Sequence, residues 1–169
     1  MALESDVDAA IGSCWLCGYQ NLILLRLSNV RESFTSSLFS ITDDHYGRTA
    51  DVYRCTNCGF WQCPGIPNVI DYYVDMEDQI YEDGREYRSR QAEQLLGLTK
   101  SRYGTGRLLD VGSGSGILVE KALELGYEAE GIEPSVWMQG KARERGCPVR
   151  LGTLPSKEIE GTYDFITMV

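Results

Sequence analysis

The sequence of 169 residues contains one histidine, few basic residues and no long apolar run. Lys and Arg total 16 against 25 Asp and Glu, which gives a formal net charge of −9. A chain with this charge lacks the basic field that attracts a phosphate backbone, so we expect no nucleic-acid partner. No segment approaches the ~20 apolar residues of a membrane helix, and the N-terminus lacks a secretory signal. We therefore expect a cytoplasmic globular protein with no membrane partner.

Four of the six cysteines form two matched pairs, since residues 14–18 and 55–59 both read Cys-x-x-Cys-Gly. The two thiolates of such a turn can bind one metal ion, and the glycine lets backbone amides approach the sulfurs. Two turns complete a tetrahedron without an open position, which predicts a structural Zn²⁺ ion. The predicted ligands are Cys14, Cys17, Cys55 and Cys58.

Two other interpretations of the cysteines are a thioredoxin-type redox pair and thiols that merely pack. A redox pair does not account for two matched turns, so we favour the metal site. Cys63 and Cys147 are expected to be free thiols, with Cys63 as an alternative ligand.

The chain divides at residues 63–68, where two prolines and a glycine cannot continue a strand or helix. Before this point, strand-like runs at 21–30, 34–41 and 51–54 predict a small antiparallel unit. We therefore expect two domains, a zinc ribbon over residues 1–68 and a second domain over residues 69–169.

The second domain is predicted to begin with a linker helix and then to alternate strands and helices. The predicted helices cover 84–100, 116–125 and 135–145, and the strands cover 107–111, 127–132, 149–151 and 163–169. This order is typical of a parallel sheet covered by helices. The fold class is therefore α/β, with an incomplete sheet of about four strands. Because residues 165–169 form an apolar run, we expect that the sequence is a truncated piece of a longer protein.

A glycine-rich turn follows the first strand of this sheet, where ligands bind in parallel α/β folds. A dinucleotide site requires its third small residue one position later, at Ile117. The negative charge of Asp110 disfavours a pyrophosphate and suits a cationic ligand. Glu133, at the end of the second strand, can accept hydrogen bonds from ribose hydroxyls. The pattern favours S-adenosylmethionine over NAD, while an ordinary strand–loop–helix with solvated acids is the simpler alternative.

Residues 108–116 (Leu-Leu-Asp-Val-Gly-Ser-Gly-Ser-Gly), 131–135 (Gly-Ile-Glu-Pro-Ser) and 163–169 (Tyr-Asp-Phe-Ile-Thr-Met-Val) resemble class I S-adenosylmethionine-dependent methyltransferases. With the two cysteine turns, residues 14–169 are similar to members that carry an N-terminal zinc-binding domain, including sugar C-methyltransferases. The resemblance implies a Rossmann-like sheet, S-adenosylmethionine as cofactor and methyl transfer to a small molecule such as a sugar nucleotide.

The resemblance also implies which residues bind the cofactor. The glycine-rich turn would contact its amino-acid portion, Asp110 would orient the turn, and Glu133 would hold the ribose. Tyr81 and Arg85 would approach the carboxylate, although aromatic packing and a solvated charge are an equal alternative for these two. The complete predicted set is Tyr81, Arg85, Asp110, Gly112, Ser113, Gly114, Gly116, Glu133, Pro134 and Ser135.

The sequence identifies no catalytic base. His45, the one histidine, lies among the cysteine turns, where we expect a surface or packing role. We therefore expect no turnover from these 169 residues alone. Two rival functions are an RNA methyltransferase and a noncatalytic interaction module built on the zinc ribbon. An exposed sheet edge also predicts self-association.

Overall fold

A computed structural model describes residues 12–30, 35–42, 47–66 and 68–169, so His45 lies outside the described residues. The described residues form two compact units. The cysteine unit consists of those before Ser36 and those from Gly47 to Val69. The sheet unit consists of Ser36–Thr42 and Ile70–Val169. The predicted domain bounds of 1–68 and 69–169 stay a prediction. No helix in the described part of the chain is long and apolar enough to cross a membrane.

The cysteine unit contains a three-stranded antiparallel sheet, as expected for its strand-like sequence. Its strands are β1 (Leu22–Arg26), β2 (Val52–Cys55) and β3 (Trp61–Gln62), in the spatial order β1-β2-β3. Leu22 pairs with Cys55, so the end of β2 delivers a cysteine next to the start of β1. The sheet thereby fixes the backbone on which the second cysteine turn is built.

The strand predicted over 34–41 is wrong for the residues that the structure describes, because Ser36–Phe39 forms a short 3₁₀ helix. Phe34 lies outside the described residues. The Phe39 ring stacks on Tyr72 with centroids 4.9 Å apart and meets the edge of Tyr73 at 5.4 Å. Aromatic packing within the sheet unit, rather than pairing with a strand, therefore accounts for this hydrophobic residue.

The sheet unit confirms the predicted α/β class. Its helices are α1 (Val69–Val74), α2 (Gln79–Asp83), α3 (Arg85–Tyr103), α4 (Ile117–Glu124) and α5 (Val136–Glu144). Its strands are β4 (Arg107–Val111), β5 (Glu128–Glu133), β6 (Val149–Leu151) and β7 (Phe165–Thr167). The short helices α1 and α2 fall in a stretch rich in acidic residues and tyrosines whose pattern gave no helix prediction.

The four strands are parallel and lie in the order β6-β5-β4-β7. The chain proceeds outward from β4 through β5 to β6 and then returns to the other side of β4. This reversal creates a crevice at the carboxyl ends of β4 and β7, where open α/β sheets bind ligands. Asp110 on β4 is opposite Gly131 on one side and Thr167 on the other. The topology thus places an acidic residue at the reversal.

The hydrophobic core of the sheet unit lies between its strands and helices. Within α3, Leu96 is buried, whereas Tyr87, Leu95 and Leu98 are exposed, although all four are apolar or aromatic. The core cluster consists of Ala92, Leu96, Leu108, Leu118, Val119, Ala122, Tyr127, Ala129, Ala142, Cys147 and Val149. This packing holds the strand ends and the loops that follow them in place.

Candidate cofactor and metal sites

The two cysteine turns fold alike in the cysteine unit. The amide of Cys14 donates to the carbonyl of Tyr19, and that of Cys55 donates to the carbonyl of Phe60, at 2.8 and 2.9 Å. Each turn is closed by a glycine amide, of Gly18 or Gly59, that donates to the carbonyl of its first cysteine. Both glycines have positive φ values, which cost a residue with a Cβ atom more than glycine. The repeated sequence therefore encodes a repeated hydrogen-bonded turn.

The four sulfurs converge, with all of them within 4.8 Å of one another. Cys14 Sγ lies 3.6 Å from Cys58 Sγ, and Cys17 Sγ lies 3.6 Å from Cys55 Sγ. A tetrahedral zinc ion with Zn–S bonds of about 2.3 Å separates its sulfurs by about 3.8 Å. The spacing of the thiols therefore fits a four-sulfur metal site, and all six cysteines of the chain are free of disulfide bonds.

Ionisation is unequal among these sulfurs. Hydrogen bonds from the Tyr19 amide and the Asn57 side chain lower the pKa of Cys17 to about 6. The Phe60 amide acts in the same direction on Cys58, but burial and the neighbouring thiols raise the pKa of Cys58 to about 12. The Cys17 thiolate thus forms readily and opposes the ionisation of Cys58. A bound divalent cation would offset this repulsion, because metal ligation requires the thiolate form.

At the reversal of the sheet, the Asp110 carboxylate is buried and lies next to Thr167. The Thr167 hydroxyl donates to Asp110 Oδ1 at 2.7 Å. Burial raises the pKa of Asp110 to about 6, and the negative charge of Glu133 adds to this shift, while the Thr167 hydrogen bond opposes it. A carboxylate that is costly to ionise in the free protein favours a cationic ligand.

Glu133 closes the glycine-rich turn from the end of β5. Its Oε2 accepts from the Gly114 amide at 2.7 Å, and its Oε1 accepts from the Ser135 amide at 2.8 Å. Burial raises the pKa of Glu133, and these two hydrogen bonds lower it in part. Each carboxylate oxygen keeps a further lone pair. Glu133 therefore links the two loops that follow β4 and β5.

The glycines of the turn meet different requirements. A Cβ atom at Gly114, whose φ is +54°, would lie 3.1 Å from the Tyr81 hydroxyl. A Cβ atom at Gly116 would lie 3.1 to 3.3 Å from atoms of Cys147, Ala142 and Val149. Core packing therefore leaves little space for a side chain at position 116. The absence of a side chain at Gly114 lets Tyr81 lie against the turn.

A cavity of about 490 Å³ opens beside the turn in the sheet unit. Asp110 lies on its wall, and Tyr81 and Arg88 also contribute to the wall. The Arg88 guanidinium lies 4.2 Å from the centroid of the Tyr81 ring, a cation–π contact. Within the described residues, no carboxylate pairs with Arg88. The full lining is Ile41, Tyr81, Arg88, Gln91, Ala92, Leu95, Asp110, Gly112, Ser113, Ile117, Leu118 and Val169.

The model of a protein family described as a methyltransferase domain matches residues 83–169, just over half of the chain. These residues contain the glycine-rich turn, both acidic strand ends and the whole parallel sheet. The chain belongs to this methyltransferase family.

Two solved methyltransferase structures resemble the chain in part. An amino pentose methyltransferase from Micromonospora echinaspora, with S-adenosylmethionine bound, is 30% identical, with a TM-score of 0.42, over 56% of this chain and 43% of its own. Magnesium protoporphyrin IX methyltransferase from Synechocystis PCC 6803, with bound S-adenosylhomocysteine, is 19% identical, with a TM-score of 0.40. The match covers 55% of this chain and 47% of that protein. The chain spans less than half the length of either protein. No curated protein matches it.

The predicted cofactor residues of the methyltransferase have different surroundings in the structure. Some line the cavity, namely Tyr81, Asp110, Gly112 and Ser113. Glu133, Gly114 and Ser135 form a hydrogen-bonded junction and are not among the lining residues, and Gly116 packs in the core. Pro134 is half-buried between Glu133 and Ser135. The cofactor roles of these residues stay predictions.

Arg85 and Arg88 differ in their surroundings. Arg85 Nη1 donates to Ser115 Oγ at 3.2 Å, and its Nη2 forms an ion pair with Glu120 at 2.5 Å. Arg85 is not among the cavity-lining residues, whereas Arg88 is. The sequence analysis named Arg85 and did not name Arg88, and the cofactor role of Arg85 stays a prediction. On a helix, residues three apart share a similar face, so the sequence alone did not separate these two arginines.

Proposed function

We propose that the sheet unit of this methyltransferase binds S-adenosylmethionine in the cavity at the carboxyl end of β4. The observation that carries the proposal is that Arg88 and the buried Asp110 line the same cavity, while Arg88 pairs with no carboxylate among the described residues. S-adenosylmethionine carries a carboxylate together with ammonium and sulfonium cations. Arg88 would hold the carboxylate, and Asp110 would attract the cationic groups.

Glu133 would hold the ribose in this proposal. Its carboxylate is fixed by two backbone amides, which supports an orientation set before the ligand binds. Pre-organised acceptors lose little freedom on binding, which favours affinity. Pro134 and Ser135 would border the adenine.

When bound, the cofactor supplies a methyl group on a sulfonium sulfur, which an acceptor can attack in line. The residues of this chain would contribute orientation rather than proton transfer. The glycine-rich turn and Tyr81 would fix the amino-acid portion, and the apolar walls from Ile117 and Leu118 would limit the entry of water. Among the described residues we assign no general base, so we propose that these 169 residues alone do not turn over.

The proposed acceptor is a small molecule, such as a sugar nucleotide. The net charge of −9 supports a small acceptor over RNA, because it provides no field for a phosphate backbone. We also propose that Cys14, Cys17, Cys55 and Cys58 bind one structural zinc ion. Their convergence and their two matched turns support that assignment.

Isothermal titration calorimetry of the chain with S-adenosylmethionine, S-adenosylhomocysteine and NAD tests the cofactor proposal. We expect both sulfur nucleosides to bind and NAD to show no binding. Binding of NAD alone would support an oxidoreductase. Failure of all three ligands to bind would support a noncatalytic scaffold. Methyl transfer by these 169 residues to any acceptor would contradict the proposed lack of turnover.

We further propose that the outer edge of β7 supports self-association. Within the described residues β7 pairs with β4 alone, and Ile166 on this strand is exposed. An unpaired strand edge offers backbone groups to a second chain. Sedimentation velocity over a range of concentrations should show association, and Ile166→Lys should weaken it. A strictly monomeric chain would contradict the proposal.

A further inference from the structure

Asp78 is a buried carboxylate that the proposed cofactor site does not use. It is 5% exposed and precedes α2 in the sheet unit. Its Oδ1 accepts from the Tyr81 amide at 2.8 Å, and its Oδ2 accepts from the Thr42 amide at 2.9 Å. The Thr42 hydroxyl also donates to Oδ1. One side chain therefore joins two segments that are far apart in sequence.

The charge of Asp78 is supported by these donors. Burial alone would raise its pKa, but the hydrogen bonds from Thr42 and Tyr81 outweigh that effect and lower it. Asp78 is thus an ionised acceptor at neutral pH. Hydrogen bonds to a charged acceptor are stronger than those between neutral groups, so the junction resists opening.

Each joined segment supplies a side chain to the cavity wall. Ile41 precedes Thr42 in one segment, and Tyr81 belongs to the other. Tyr81 also lies against the glycine-rich turn, where its hydroxyl limits the space at Gly114. The hydrogen bonds of Asp78 therefore hold the backbone next to Ile41 and at Tyr81, the two wall residues.

Further contacts fix the segment that carries Asp78. The Ser135 hydroxyl donates to the carbonyl of Met76 at 2.7 Å, and Met76 is itself buried. On the other side, Phe39 stacks on Tyr72. With its own segment held by these contacts, Asp78 is well placed to hold Ile41 and Tyr81 against the cavity.

We propose that Asp78 is a positioning residue for the cofactor cavity, acting through Tyr81 and Ile41 and without touching the cofactor. This inference rests on the proposed function. It implies that Ser36–Thr42, which lies between the two cysteine turns in the sequence, forms part of the cofactor-binding unit. The segment would shape the cavity although it falls outside the residues of the family match.

The test measures S-adenosylhomocysteine affinity and melting temperature for variants of the whole chain. Asp78→Ala should weaken binding about tenfold or more, as expected for lost hydrogen bonds to a charged acceptor. Asp78→Asn keeps an oxygen for the Tyr81 amide but faces the Thr42 amide with a donor, so we expect partial rescue. Thr42→Val removes one donor and should weaken binding severalfold.

Tyr127→Phe provides the matched control. It removes a buried hydrogen bond to the Leu96 carbonyl, and Tyr127 does not line the cavity. It should lower the melting temperature and leave affinity unchanged. If Asp78→Asn and Thr42→Val lose melting temperature as Tyr127→Phe does but bind like the wild type, the positioning role is wrong. This comparison decides the matter even if Asp78→Ala does not fold.

The wild-type titration separates this inference from the function on which it rests. If the wild type does not bind S-adenosylhomocysteine, the proposed function is wrong and the role of Asp78 fails with it. If the wild type binds and Asp78 variants bind equally well, only the inference is overturned. Faster hydrogen exchange at the Thr42 amide in Asp78→Asn is expected in either case, and unchanged exchange there would contradict the hydrogen bond between Thr42 and Asp78.

Discussion

The cysteine unit and the sheet unit place their buried groups differently. In the cysteine unit, the buried side chains include Cys14 and Cys55, while Trp15, Leu27 and Trp61 are exposed. The sheet unit buries a contiguous apolar cluster centred on residues such as Leu96 and Val119. Small units that bury little apolar surface depend on metals or cross-links. The comparison predicts that metal ligation dominates the stability of the cysteine unit. Apolar packing is predicted to dominate the stability of the sheet unit.

The largest effect is expected from breaking the proposed zinc site. Cys55→Ser should abolish zinc binding and unfold the cysteine unit, because structural zinc can supply ~10 to 16 kcal/mol of apparent folding free energy. Atomic absorption should fall from one zinc per chain towards zero, and amide protection in β2 should disappear. Cys63→Ser is the control and should keep the metal. A folded, protected β2 without metal would contradict the contrast between the units.

The next effect is expected in the core of the sheet unit. Leu96→Ala should destabilise it by about 2 to 5 kcal/mol, because the substitution leaves a cavity among buried side chains. Leu98→Ala, on the same helix but exposed, should change stability by less than about 0.5 kcal/mol. Denaturant unfolding measures both, with zinc content unchanged in each variant. Equal losses for the two variants would show that packing on α3 is not as described.

Within the proposed cofactor cavity, Arg88→Met should weaken S-adenosylmethionine binding about 10- to 100-fold, because it removes the charge-assisted hydrogen bond proposed between Arg88 and the ligand carboxylate. Arg90→Met is the matched control on α3, because Arg90 is exposed and pairs with Glu86. Arg85→Met should lower the melting temperature more than it lowers affinity, since its partner is Glu120. Calorimetry and thermal unfolding separate these outcomes. If Arg85→Met lost more affinity than Arg88→Met, Arg85 rather than Arg88 would be the residue that holds the cofactor carboxylate.

The smallest effect concerns pH. The pKa of Asp110 is raised by burial to about 6, so ionisation of Asp110 costs the free protein stability above that pH. A cationic ligand favours the ionised form, so S-adenosylmethionine affinity should fall as pH decreases through about 6. Asp110→Asn should flatten this dependence and stabilise the free protein at pH 7.5 by on the order of 1 to 2 kcal/mol. An unchanged pH profile in the variant would exclude Asp110 as the cause.

Regular periodicity and short motifs predicted most of the fold. The alternation of strands and helices after residue 106 predicted the parallel sheet, and the repeated Cys-x-x-Cys-Gly predicted the convergence of four sulfurs. Both signals are local in sequence, since a strand or a turn is encoded by adjacent residues.

Contacts between distant segments were not predictable in the same way. The segment Ser36–Thr42 resembled a strand, but it packs on Tyr72 and is bonded to Asp78. Arg85 and Arg88 have the same chemistry, and only the direction of each side chain decides which one lines the cavity. Such choices depend on tertiary packing, which the local pattern of the sequence does not contain.

A crystal structure of the chain with S-adenosylmethionine bound tests the central claim most directly. The account predicts a nucleoside whose ribose lies at Glu133 and whose amino-acid portion lies between Asp110 and Arg88. A ligand bound elsewhere, with both carboxylates directed away from it, would contradict the account.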